Sequence, residues 1–186
     1  MGQASSSIAL QTAFVSIAAA ATPCLPPDLK QRFKTLSKDL LSNDVAQVVI
    51  KVAQRGQPGG ANKFPHDTTK DTFAYNYMDP GWWTSGFFPG TLWLLYERSL
   101  TLPQPIASSD ILNLALQWQK GMEAQQFNKG THDLGFMIMP EFYSDYALRN
   151  STASRDIVIN AAHSLATRWN ETVQCIRSIS SSSSTT

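Results

Sequence analysis

SSDILNLALQWQKGM, residues 108–122, is the stretch that decides the fold. Ile111, Leu114, Ala115, Trp118 and Met122 recur at i, i+3, i+4, i+7 and i+11, the spacing of one face of an α-helix. Ser108, Ser109 and Asp110 stand before them, and side chains of this kind satisfy the orphan N–H groups at a helix start. A strand would need alternation with a period of two, and no stretch of the chain shows that convincingly.

Working outward from this helix, the same period recurs on both sides. Toward the C-terminus, a helix is predicted to begin just after Asp133, with Phe136, Met139, Tyr143 and Ala147 facing the core. Pro140 lies near enough to its start to be tolerated or to kink it. Another runs from about Ser154 to Trp169, with Val158, Ala161, Ala162, Leu165 and Trp169 inward and Arg155, Asn160 and Arg168 facing water. Toward the N-terminus, a helix starts at Pro89 and carries Leu92, Leu95, Tyr96 and Ser99 on one side, until TLPQP (101–105) breaks it. A further helix ends near Gln54, with Leu41, Val45, Val48, Val49 and Val52 as its stripe. Between these two, RGQPGGANKFPHDTTKD (55–71) reads as a long exposed connection. Helices in succession with loops of unequal length give an all-α chain of stacked helical hairpins.

The chain has 186 residues, 42% of them apolar and 10% aromatic, which is enough for one domain with its own core. A formal net charge of +1 provides no field that would draw nucleic acid or an anionic membrane. Cys24 and Cys175 are far apart, without metal-ligand spacing, which argues against a zinc site and a disulfide framework. Residues 1–39 read as an N-terminal extension. Within it Ile8 to Ala21 has the shape of a secretory apolar core, but no Lys or Arg precedes it and the run is too short to span a bilayer. Met1-Gly2 with Ser6 fits the loose myristoylation pattern, and Asn150-Ser-Thr and Asn170-Glu-Thr are glycosylation sequons that matter only in a secreted chain. Localisation stays open between cytoplasm and secretion. Residues 40–178 form the helical domain, and 179–186 read as a disordered serine/threonine tail.

Two places can carry chemistry. MDPGWWTSGFFPG (78–90) sets Trp82, Trp83, Phe87 and Phe88 in a glycine- and proline-punctuated loop, where flat apolar faces can meet the C–H faces of a sugar ring, with Thr84 and Ser85 at hand for its hydroxyl groups. Core packing at a helix entrance is the competing reading, although two adjacent tryptophans do not both point inward easily. His132-Asp133, after Gly130-Thr131 and before LGFMI, is either a capped helix start or a rigidly aimed carboxylate facing a ligand. Acid/base work needs a second carboxylate, and Glu141, Asp145 and Asp156 are the downstream candidates.

WWTSGFFPGTLWLLYE (82–97), THDLGFMI (131–138) and AAHSLATRWNETVQCIRS (161–178), in this order and spacing, resemble segments of the unsaturated glucuronyl hydrolases, glycoside hydrolase family 88. The resemblance covers roughly Leu41 to Ser178. It implies an (α/α)6 barrel of six helical hairpins, here incomplete, with only the N-terminal hairpins present. It also implies a glycosidase that releases a 4,5-unsaturated uronic acid from oligosaccharides by acid-catalysed hydration of the C4=C5 bond, with no metal and no nucleotide cofactor. Asp133 then matches the first active-site aspartate, His132 its neighbour, and Trp83 the tryptophan lining the sugar site. The family's general acid/base aspartate lies beyond the IRS segment, so the resemblance implies a truncated, inactive fragment. A non-catalytic carbohydrate-binding helical module and the related unsaturated rhamnogalacturonyl hydrolases are the alternatives, and the HDLGFM stretch favours the glucuronyl family.

Overall fold

The computed structural model describes residues 43–56 and 62–178. The expected N-terminal extension with its signal-like run, Leu41 and the serine tail lie outside the described residues. The order of elements is α1 (Asp44–Arg55), β1 (Phe64–Thr68), β2 (Tyr75–Met78), α2 (Phe87–Ser99), α3 (Ser108–Lys120), a 3-10 turn (Glu123–Phe127), α4 (Leu134–Ile138), a π turn (Met139–Tyr143), α5 (Ser144–Arg149), α6 (Thr152–Ala166), β3 (Trp169–Asn170) and β4 (Cys175–Ile176). The class is all-α. Among the described residues no helix is long and apolar enough to cross a membrane.

The helix over 108–120 packs as its spacing predicts: Ile111, Ala115, Trp118 and Met122 are buried, and α3 lies along α2. Trp118 is the centre of this layer. Phe88 meets its ring edge-on at 4.6 Å and Phe64 at 5.8 Å, while its indole N–H donates to the Ala53 carbonyl at 3.2 Å and so holds the last turn of α1. Leu92, Trp93, Leu134, Met137, Ile138, Phe142 and Ala161 complete the main core, and Ala46, Ile50, Leu95 and Ile111 make a smaller one under α1.

Several expectations are corrected. Val45 and Val48 are exposed; of the expected stripe α1 buries Val52 and half-buries Val49, and it adds Ala46, Ile50 and Ala53. Seven apolar residues crowd positions 45–53, so two overlapping stripes satisfy the helical period and only the partner surface selects one. The arm from α4 to α5 shows the same effect more strongly. Phe136, Met139, Tyr143 and Ala147 point outward, whereas Leu134, Met137, Ile138, Glu141, Phe142 and Asp145 are buried. Pro140 explains part of this, because it has no N–H and its ring crowds the preceding turn, so the helix widens to a π turn there and its second half rotates. α6 ends at Ala166, short of the expected Trp169; Ala162 and, beyond the helix, Trp169 are exposed and Arg168 is buried, the reverse of the expected faces. The stretch taken as an open connection contains β1, which pairs antiparallel with β2 and buries Phe64. A second ribbon joins β3 to β4. Both ribbons are too short, and the first too irregular around Pro65, to announce themselves by alternation.

Close backbone approach fixes how α2 meets α4 and the π turn. A Cβ on Gly86 would run into the Phe136 carbonyl and lie 2.6 Å from that of Met137, and one on Gly90 would collide with Pro140. These two glycines bring the aromatic loop against the segment that follows Asp133.

Candidate active site

The aromatic loop is a series of tight turns: Trp82 N–H donates to the Asp79 carbonyl at 2.9 Å, Ser85 N–H to that of Trp82 at 3.0 Å, and Phe87 N–H to that of Thr84 at 3.0 Å. Thr84 and Ser85 are buried. Their hydroxyls are engaged within the protein, Thr84 with His66 Nδ1 at 2.9 Å and Ser85 with the Asp79 carbonyl at 2.8 Å, so the expectation that they serve sugar hydroxyls is corrected. The loop thus turns its small residues inward and both tryptophans outward, Trp82 at 39% and Trp83 at 42% exposure. Trp82 meets His66 edge-on and donates its indole N–H to His66 Nδ1 at 3.3 Å, which ties the loop to β1. Trp83 belongs to an open aromatic trio, with Phe87 at 6.0 Å and Phe136 at 6.4 Å between ring centroids. Phe87, Phe136, Met139, Pro140 and Tyr143 continue this wall into a shallow trough that runs along α2.

Asp133 stands immediately before α4, one helical turn from Phe136, whose N–H bonds to the Asp133 carbonyl at 2.8 Å. Its side chain makes no capping hydrogen bond, so the reading of Asp133 as a helix cap is not what the geometry shows. Thr131 instead donates its hydroxyl to Asp133 Oδ2 at 2.8 Å and accepts from the Asp133 N–H at 3.0 Å. His132 Nε2 lies 3.2 Å from Asp133 Oδ1, and His132 Nδ1 lies 2.7 Å from the carbonyl oxygen of Ser178. A carbonyl only accepts, so Nδ1 carries a proton in this arrangement. The Asp133 side chain keeps 20% exposure, leaving acceptor capacity toward solvent.

None of the three other carboxylates joins this group. Asp145 is buried and takes hydrogen bonds from Ser154 Oγ at 2.5 Å, Gln119 Nε2 at 3.3 Å and Arg149 at 3.1 Å. Glu141 is fully buried in the π turn, its two oxygens have no hydrogen-bond partner among the described residues, and desolvation holds its carboxyl well above its ordinary range. Asp156 sits exposed on α6 and pairs with Arg155 at 2.7 Å. Among the described residues no three His, Cys, Asp or Glu side chains gather as a metal site would require.

Arg168 is the residue that sequence reasoning missed most clearly. It donates Nη1 to the Lys129 carbonyl at 2.6 Å, Nη2 to that of Ser178 at 2.6 Å and Nε to that of Arg177 at 2.8 Å. A signal was available: Ser154, Ala161, Ser164 and Arg168, at steps of seven, three and four, form the buried stripe of α6 and its exit, but three of the four are polar or charged. His66 and Thr131 carried no spacing that would have marked them.

Short packed helices bring an open aromatic wall close to a carboxylate at a helix start. No family model matches the chain. An unsaturated glucuronyl hydrolase of Formosa agariphila is 35% identical over 123 residues, covering 65% of this chain and 29% of the relative. An unsaturated chondroitin disaccharide hydrolase of Streptococcus pneumoniae is 33% identical over 136 residues, covering 71% and 33%. Among solved structures, an unsaturated glucuronyl hydrolase specific for heparin superposes with a TM-score of 0.62 at 30% identity, over 76% of this chain and 36% of that one. That of Bacillus sp. GL1 superposes with a TM-score of 0.61 at 20% identity over 78% and 37%, a likeness of fold. The chain belongs with the unsaturated glucuronyl hydrolases, and it spans about a third of the length of the curated relatives it matches. Its hairpins are accordingly part of an (α/α)6 barrel.

Proposed function

We propose that these residues form the sugar-holding part of an unsaturated glucuronyl hydrolase site, for an oligosaccharide that ends in a 4,5-unsaturated uronic acid. One observation carries the reading: the Asp133 carboxylate is held by Thr131 and His132 rather than by helix N–H groups, and it keeps solvent access one turn from the Trp83, Phe87 and Phe136 wall. In the reaction an acid adds its proton to C4 of the C4=C5 bond, water adds its oxygen to C5 and returns a proton to the resulting carboxylate, and the hemiketal formed opens to release the saturated sugar. Asp133 holds a hydroxyl of the unsaturated ring and, as a fixed negative charge, favours the protonated form of the acid. Trp83 offers its face to the ring, and His132 orients Asp133.

The acid itself is not Glu141 or Asp145, which are buried in the core, nor Asp156, which is paired on the outer side of α6. These residues therefore bind the sugar without turning it over. Calorimetric titration of the 186-residue protein with an unsaturated glucuronyl disaccharide should show binding, weakened at least tenfold by Asp133→Asn, while the absorbance of the C=C bond persists. Loss of that absorbance, itself abolished by Asp133→Asn, would put the acid inside this chain. A folded protein that does not bind the disaccharide would overturn the reading of the site.

A further inference from the structure

Arg168 is 3% exposed, yet among the described residues it enters no ion pair. A buried guanidinium is normally matched by a carboxylate. Here three backbone carbonyls take its hydrogen bonds, and they come from two segments: Lys129, in the loop that leads into Thr131-His132-Asp133, and Arg177 with Ser178, at the end of the β3–β4 ribbon. The ribbon is held from the other side as well, since Arg177 N–H donates to the Arg168 carbonyl at 3.0 Å.

The Ser178 carbonyl is the shared atom. It accepts from Arg168 Nη2 at 2.6 Å and from His132 Nδ1 at 2.7 Å, so that the oxygen the guanidinium fixes takes the Nδ1 proton, sets the plane of the ring and leaves Nε2–H to donate to Asp133 Oδ1. We propose that Arg168 is a positioning residue of the site, acting on Asp133 through the Ser178 carbonyl and His132, and on their loop through the Lys129 carbonyl. The proposal rests on the reading of Asp133 as the sugar-holding carboxylate, but its structural half stands apart from that reading. Only the planar fork of arginine, with donors diverging from one rigid group, reaches three carbonyls on two segments at once. A lysine would keep the charge and lose the span.

Long-range 1H–15N correlation spectra of the full chain resolve the three histidines, His66, His132 and His163, and report the proton on each ring nitrogen. In the native protein His132 should show a proton held on Nδ1. Arg168→Lys, and Arg168→Met where it folds, should release it: the Nδ1 signal of His132 moves toward that of an imidazole nitrogen with no carbonyl partner, those of His66 and His163 stay in place, and the unsaturated disaccharide binds about tenfold more weakly. A purely structural Arg168 would lower the melting temperature of Arg168→Lys and leave the His132 signals unmoved, which would overturn the proposal. Shifted His132 signals in a protein whose native form binds no disaccharide would uphold the positioning role and sink the functional reading instead.

Discussion

Asp145 and Asp133 lie on the same helical arm, twelve residues apart, and their surroundings are opposite. Asp145 is enclosed: Ser154, Gln119 and Arg149 supply donors to its two oxygens, and Gln119 in turn accepts the indole N–H of Trp93 at 2.6 Å. Helices α2, α3, α5 and α6 are thereby joined at one buried point. Asp133 has one hydroxyl, one imidazole and an open side. A carboxylate whose acceptor capacity is filled from several helices stabilises a fold, and one held by its own loop with capacity left over is free to meet a ligand. The distinction lies in how completely each group is satisfied, not in the residue type.

The largest test of this contrast is Asp145→Ala. It leaves the Gln119 amide, the Ser154 hydroxyl and the Arg149 guanidinium without their shared acceptor, and removal of one member of such a buried charged network costs about 3–5 kcal/mol. For a domain of ordinary stability, about 5–15 kcal/mol, that is a large fraction of what is available. Urea denaturation followed by circular dichroism should show a transition shifted far toward zero denaturant; a change below about 1 kcal/mol would mean that the network is not holding the helices together.

Glu141 sharpens the comparison from a third position, a carboxyl with burial and no partner. Its value in the folded chain is raised above the ordinary 4.5 by desolvation, so the native state retains a proton that the unfolded chain releases. Its contribution is therefore fully present below the ordinary carboxylate range and is lost as pH rises from there toward the folded value, at up to about 1.4 kcal/mol per pH unit. Glu141→Gln cannot ionise and should remove this dependence, so the stability of the variant relative to the native chain should rise as the pH is raised from 5 to 7. Parallel stability curves for the two proteins over that interval would show that water or a donor reaches the carboxyl.

The helical class and most helix positions were legible because the period of 3.6 is a local property, clear in α3, while α2, apolar on nearly every side, was marked by Pro89 near its start and the TLPQP break after it. The faces of α1 and of the arm from α4 to α5 were not. Both segments carry apolar residues on two sides, and the side that turned inward in the arm also includes Glu141 and Asp145, which a search for apolar stripes passes over. The exposed Phe136, Met139 and Tyr143 were read as core because they are large and well spaced, and together with Phe87 and Leu94 they line the open trough instead. For the site, His132 and Asp133 directly precede α4, whose Phe136 lies 6.4 Å from Trp83, and their part in holding a sugar is proposed. Arg168 and Thr131 could not be found that way, since their roles depend on which carbonyl or carboxylate the folded chain brings within 3 Å.

The smallest expected effect completes the comparison. Asp133→Asn keeps the shape of the side chain and can still accept from the Thr131 hydroxyl, while the amide can donate to solvent from the half-open side. It gives up a partly exposed pairing with His132, of a kind worth about 0–1 kcal/mol, and no cap is lost because none is made. The melting temperature of Asp133→Asn should therefore fall by no more than about 4 °C, even as the affinity for the unsaturated disaccharide drops. A fall as large as that of Asp145→Ala would mean that Asp133, despite its open side, belongs to the structural network, and the two aspartates would no longer divide the work between fold and site.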